Sequence, residues 1–136
     1  MDDVRKLVKR FHSNDPFEIS RALNIEIRFE DLGASTRGMY IRKLRRRCIF
    51  IHSGLDELWQ RFICAHELAH DRLHPGFSRF WLDKQSFYNP GKFECQANRF
   101  ALKLLTADQI QDRDESIEWF LMKCGIPRAL HNLYEK

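Results

Sequence analysis

Between Trp59 and His74 the chain reads Trp-Gln-Arg-Phe-Ile-Cys-Ala-His-Glu-Leu-Ala-His-Asp-Arg-Leu-His, with apolar residues recurring at the period of a helix. At roughly 100° per residue, Leu58, Trp59, Phe62, Ile63, Ala69 and Leu73 gather on one side. His66 and His70 fall in the middle of that apolar side, where an amphipathic helix has no ordinary use for imidazoles. Burying both is costly unless their nitrogens are satisfied, and one shared metal ion would satisfy them. Side chains four residues apart stand one above the other, so both rings reach the same point. Glu67 lies about 60° around the wheel from His70. There its carboxylate flanks the metal position and can take a proton from a water that the metal activates. The competing account makes the histidines ordinary core residues and Glu67 a solvated one. The apolar surroundings weigh against it.

A hydrolytic zinc site usually takes three protein ligands and leaves one position open. His74 shares the helical face, but eight residues from His66 is about 12 Å along the axis, too far for one tetrahedral ion. It reads as a helix-end residue favoured by the dipole. The extended metzincin pattern needs glycine at 73 and histidine at 76, where this chain has Leu73 and Gly76. Two neighbours, Glu94 and Cys95, remain on a later helical segment. Glu94 falls about 60° from the centre of that segment's apolar stripe, and Cys95 roughly opposite. Glu94 is the expected third ligand, in preference to a role in a rim salt bridge.

The 136 residues, 43% of them hydrophobic, suffice for one globular domain spanning 1–136. No apolar run approaches the length of a membrane span, and the start Met1-Asp2-Asp3 is unlike a signal peptide. Cys48, Cys64, Cys95 and Cys124 form no Cys-x-x-Cys pair, so reduced thiols in a cytoplasmic protein are expected. Arg42, Lys43, Arg45, Arg46 and Arg47 carry more than the whole net charge of +4. Basicity is therefore local. The segment reads as a solvated hairpin tip that also guards exposed sheet edges, and no direct nucleic-acid binding is expected.

Helical spacing places a first helix over residues 2 to 11 and a second after Asp15, with Pro16 at its first position and Glu18 completing a capping box. From Ile25 the period changes to two, giving a strand through Glu30. Met39-Tyr40-Ile41 and Cys48-Ile49-Phe50-Ile51 form a hairpin around the basic segment. Ser53, with Asp56 three residues on, is the expected cap of the histidine-bearing helix, and Pro75-Gly76 closes it. Residues 76 to 91 are a long connection containing Phe77, Phe80, Trp81, Phe87 and Tyr88, read as a satellite hydrophobic cluster or a substrate flap with a short helix near Phe80. Phe93 to Leu105 returns to helical period, and a tail helix runs from about Glu115 to Lys123. The expected fold class is α+β: a small, mainly antiparallel three-stranded sheet packed with about five helices. The metal site lies between the H-E-x-x-H helix and the helix that follows.

His66-Glu67-Leu68-Ala69-His70 with His74-Pro75, and then Glu94-Cys95-Gln96-Ala97-Asn98-Arg99-Phe100-Ala101-Leu102-Lys103-Leu104-Leu105, resemble the ImmA/IrrE family of zinc metallopeptidases, of the gluzincin type. Trp59-Gln60-Arg61-Phe62 and the preceding strand also look like this family, so the resemblance covers about half the chain. It implies a zincin-like fold and one zinc ion per chain on His66, His70 and Glu94, with Glu67 as the catalytic carboxylate. It further implies a cytoplasmic bacterial or phage-encoded endopeptidase that cuts a helix-turn-helix repressor and so derepresses a mobile element or stress regulon. Thr106-Ala107 replaces a proline that often follows the Leu-Leu pair. The stretch before the first strand is too short for a helix-turn-helix domain, so any link to DNA is expected to run through the substrate protein. Tyr88, Tyr40, His131 or an arginine could supply the donor that a developing oxyanion needs besides zinc, and the residue pattern does not choose among them. The rival function is a zinc-stabilised module that inactivates a repressor by contact alone. It has no use for Glu67.

Overall fold

The computed structural model describes residues 2–83 and 90–134. Its elements are α1 (Asp3–Phe11), α2 (Pro16–Ala22), β1 (Glu26–Glu30), β2 (Thr36–Lys43), β3 (Arg46–His52), α3 (Glu57–Leu73), β4 (Arg79–Asp83), α4 (Lys92–Thr106) and α5 (Ile117–Lys123), then a 3-10 helix over Arg128–Leu133. The class is α+β. Helix starts follow local chemistry. The carboxylates of Asp2 and Asp15 accept the amides of Val4 and Phe17 at 2.9 and 3.0 Å, and Ser116 caps α5 in the same way. α2 gives way at Asn24, which sits at φ +63°, a conformation asparagine tolerates.

Three expectations are corrected. The cap of α3 is Asp56, whose carboxylate accepts the Trp59 amide at 3.0 Å, and not Ser53. The Ser53 amide instead donates to the Glu30 carbonyl at 2.8 Å, continuing the pairing of β1 with β3. The sheet has four strands in the order β1-β3-β2-β4, not three. Its fourth strand arises where a short helix was expected near Phe80. Residues 79 to 83 alternate Phe80 and Leu82 with Arg79, Trp81 and Asp83, and pairing with β2 satisfies a backbone too short to gain from helical hydrogen bonds. The sheet is also mixed. The β2–β3 hairpin is antiparallel, but β1 lies beside β3 and runs parallel to it, with Ile27 opposite Ile49.

α3 packs against β2 and β3 of this sheet and also against α2 and α4. Every residue from Phe62 to Asp71 is buried as a result. Leu58, placed by periodicity on the buried side, lies before the covered stretch and is 47% exposed. Tyr40, Ile49, Ile51 and Leu82 from the sheet and Ala97, Ala101 and Leu104 from α4 join the same core. The four cysteines are free, and among the described residues no helix is long and apolar enough to cross a membrane.

One buried polar knot ties α3 to the sheet. The Asp71 carboxylate accepts the Tyr40 hydroxyl at 2.6 Å, Arg47 Nη1 at 2.9 and 3.1 Å, and Arg72 Nε at 3.0 Å. Arg47 also donates to the Leu23 carbonyl. The basic run is thus divided: Lys43, Leu44, Arg45 and Arg46 are exposed at the hairpin tip, whereas Arg47 folds back as an internal cation. Arg47→Met leaves Asp71 with Tyr40 and Arg72 but removes the donor to the Leu23 carbonyl. It should cost about 1–3 kcal/mol in urea unfolding, and Arg45→Met no more than about 0.5 kcal/mol.

Candidate metal centre

His66, Glu67 and His70 sit where the sheet and α4 both cover α3, and each is 0% exposed. Glu94 enters from the first turn of α4 with its side chain 16% exposed. Its carboxylate spans the two imidazoles, Oε2 at 2.8 Å from His66 Nε2 and Oε1 at 3.1 Å from His70 Nε2. The sequence-expected set therefore converges, and Cys95 is exposed on the other side of α4. Ligand atoms of His66, Glu67 and His70 also lie within 4.8 Å of one another.

The outer hydrogen bonds decide what those imidazoles present. His66 Nδ1 lies 2.9 Å from Asn98 Oδ1, which can only accept, so the neutral tautomer that donates there leaves its Nε2 lone pair toward Glu94. His70 Nδ1 faces His74 Nδ1 at 3.0 Å, and His74 Nε2 reaches Gln96 Oε1 at 2.7 Å. His70 Nε2 has no hydrogen-bond partner despite being buried beside a carboxylate. A lone pair pressed against a carboxylate requires a positive charge between them. Burial pulls the pKa of His70 down to about 4, so at neutral pH it does not supply that charge as a second ring proton. Burial pushes Glu94 upward, but the imidazoles of His66 and His70 outweigh it and bring the carboxyl down to about 2. An anionic carboxylate and two imidazole lone pairs aimed at one point fit a divalent cation of the zinc type.

Glu67 occupies the flank. Among the described residues neither of its buried carboxylate oxygens has a hydrogen-bond partner, and burial, then the nearby Glu94, raise its pKa well above the ordinary value. Gly38 of β2 makes room for it. A Cβ at that position would come 2.5 Å from Ile63 Cγ2 and 2.8 Å from Glu67 Oε2. Phe80 of β4 stacks on His70, with ring centroids 3.7 Å apart and planes 9° from parallel, and Phe77, Phe93 and His74 extend this aromatic cluster. The expected satellite cluster thus exists and touches the site directly. Phe87 and Tyr88 lie outside the described residues.

The other oxyanion candidates are placed as follows. The Tyr40 hydroxyl is committed to Asp71, and its pKa is pushed up by burial and by that carboxylate. His131 Nε2 donates to the Ile126 carbonyl at 3.0 Å in the C-terminal segment. Among the arginines, Arg37 precedes Gly38 and lays its guanidinium over the Trp59 ring at 4.3 Å. The residue pattern assigns His74 only to the helix end and gives Asn98 and Gln96 no role. The available signal was spacing: Asn98 is one turn beyond Glu94, and His74 one turn beyond His70.

A His-Glu-x-x-His helix and a following helix bearing glutamate, joined over a small mixed sheet, define a zincin-like metallopeptidase scaffold. The match to known proteins agrees. Residues 21–116 match the Peptidase_M78 family, described as the IrrE N-terminal-like domain, and the chain belongs to that family. It is similar to "Uncharacterized immunity region protein 2" of Bacillus phage phi105, 29% identical over 96% of this chain and 85% of that protein. It is also 30% identical to "Metallopeptidase ImmA" of Bacillus subtilis (strain 168), over 79% of this chain and 63% of that protein. The ImmA/IrrE resemblance and the α+β, zincin-like class both hold.

Two outcomes follow for the metal-free protein. The folded-state pKa of Glu67 lies above its unfolded value, so its contribution favours folding less as pH rises past about 4.5. Metal-free Glu67→Gln should therefore gain melting temperature over metal-free wild type at pH 8, with the gain shrinking toward pH 5. Gly38→Ala must displace Ile63 or Glu67 and should cost about 1–3 kcal/mol in the same unfolding assay.

Proposed function

We propose that this chain is a zinc-dependent endopeptidase that cuts a cytoplasmic protein, a helix-turn-helix repressor of a phage, mobile element or stress regulon. The observation that carries the reading is Glu67, a fully buried carboxylate with neither oxygen partnered among the described residues, beside two imidazole lone pairs and a second carboxylate. A protein that only needed its fold would not keep such a group. The metallopeptidase name of the bacterial relative supports the chemistry. The immunity-region name of the phage relative supports a repressor as substrate.

In this reading His66 Nε2, His70 Nε2 and Glu94 would hold one zinc ion per chain. Zinc bound there supplies a Lewis acid that lowers the pKa of a water toward neutrality and polarises a carbonyl. Glu67 accepts the water's proton on a carboxylate oxygen and delivers it to the departing amine nitrogen. Burial, and then the nearby Glu94, raise its pKa, which makes the carboxylate a stronger base than an exposed glutamate. Asn98 keeps the His66 proton on Nδ1. The packing of the sheet and α4 over α3 excludes bulk water from Glu67 and the imidazoles.

The test compares protein termini in host cells expressing wild type or Glu67→Gln, followed by purified proteins with the substrate found. Glu67→Gln should retain one zinc per chain and lose about 10²–10⁴-fold in cleavage rate, whereas His70→Ala should lose both zinc and cleavage. Undiminished zinc-dependent cleavage by Glu67→Gln would sink the assigned role. Equal repressor inactivation by both proteins, with no new termini, would establish the contact-only module instead.

A further inference from the structure

His74 is 5% exposed, sits one turn beyond His70, and has both ring nitrogens engaged. Its Nε2 lies 2.7 Å from Gln96 Oε1, an oxygen that can only accept, so Nε2 donates. A neutral His74 then keeps its lone pair on Nδ1, which must accept from His70 Nδ1 across 3.0 Å. That leaves His70 Nε2 bare, 3.1 Å from Glu94 Oε1. The direction of each hydrogen bond is set from the Gln96 end, and the chain terminates at the atom offered to the metal.

We infer that His74, oriented by Gln96, is a positioning residue that fixes the tautomer and ring orientation of His70 so that Nε2 is the nitrogen presented to the metal. The inference rests on the metal-binding reading above and extends it to two residues that do not touch the ion. A 180° turn of the His70 ring would place Cε1 where Nε2 stands and forfeit the bond to His74. Phe80, stacked on His70 at 3.7 Å, restrains tilting of the ring but makes no distinction between its two edges. The His74 hydrogen bond does, because it engages Nδ1 and not Cδ2. Phe93, whose ring centroid is 4.3 Å from that of His74, holds the supporting ring in turn. The division of labour is built into the helix pair. α3 carries His66, His70 and His74 at successive turns, and α4 answers with Asn98, Glu94 and Gln96.

The test separates the hydrogen bond from the packing. His74→Phe keeps an aromatic ring against Phe80 and Phe93 but removes the acceptor. His74→Asn puts an amide oxygen close to where Nδ1 stood. Two measurements are made on wild type and both variants: zinc affinity by chelator competition, and histidine tautomers by long-range ¹H–¹⁵N correlation in the metal-free and zinc-loaded proteins. In the metal-free wild type His70 should show a single tautomer protonated at Nδ1, and His74 one protonated at Nε2. His74→Phe should lose about 10–100-fold in zinc affinity together with the single His70 tautomer, and His74→Asn should recover most of both. Gln96→Leu should weaken zinc binding in the same direction, and it carries the comparison if His74→Phe does not fold.

Wild-type zinc affinity in His74→Phe, or in Gln96→Leu where that variant carries the comparison, would overturn the inference. So would His74→Asn behaving no better than His74→Phe. A zinc-induced shift on a His74 nitrogen would also overturn it, by making His74 a ligand. Failure of wild type to bind zinc is a different result. It removes the metal reading, while the metal-free tautomers still report whether the hydrogen-bond chain exists.

Discussion

Nε2 of His66 and Nε2 of His70 face one carboxylate inside this protein, at 2.8 and 3.1 Å, and much of the surrounding structure keeps them there. Asn98 and the His74–Gln96 pair take up the outer nitrogens of His66 and His70. Glu94 faces both inner nitrogens from across the helix interface. Such an arrangement is repulsive without a cation, and α3 and α4 hold it together through the apolar surface they bury around it. Among the described elements outside the sheet, these two helices share the most extensive contact. The energy that orients the site therefore comes from the core and is spent on groups that do not stabilise the fold themselves.

The sheet contributes by what it leaves out as much as by what it packs. Gly38 offers no side chain where Glu67 needs space, and Phe80 on the edge strand lies flat against His70. One turn further along α3 the contact changes character. Asp71 is anchored by Tyr40 and Arg47, a charged group satisfied several times over. Neighbouring helical turns thus hold one carboxylate with every partner it needs and another, Glu67, with none among the described residues. A buried acid that is fully paired contributes to the fold, whereas an unpaired one costs stability where it stands.

Much of this was legible in the residue order. The period of α3 and α4, the cap-and-proline start of α2 and the alternation of β1 are local patterns, and the structure reproduces them within a residue or two. His66, Glu67, His70 and Glu94 stood out because polar groups on apolar faces break a local pattern. The pairing of strands was less accessible. A five-residue segment such as 79–83 is too short to declare its period, and its strand exists only because the free edge of β2 lies beside it. β1 could not announce its parallel partner, since β3 follows β2 along the chain yet lies beside β1 in the sheet. Ser53 and Asp56 were both competent caps, and the choice fell to Asp56 once β1 claimed the Ser53 amide.

What the sequence determined by itself was the chemistry: two imidazoles one turn apart, a carboxylate beside them and another on a second amphipathic helix. These are properties of spacing along one backbone, and helical geometry carries them into space without help. Which nitrogen each histidine turns inward depended on Asn98 and Gln96, about thirty and twenty residues away along the chain. The space for Glu67 depended on a glycine in a strand that α3 packs against. Those relations exist only between elements. They required the tertiary structure because hydrogen-bond direction and steric room are set by whatever packs opposite, and no local period encodes it.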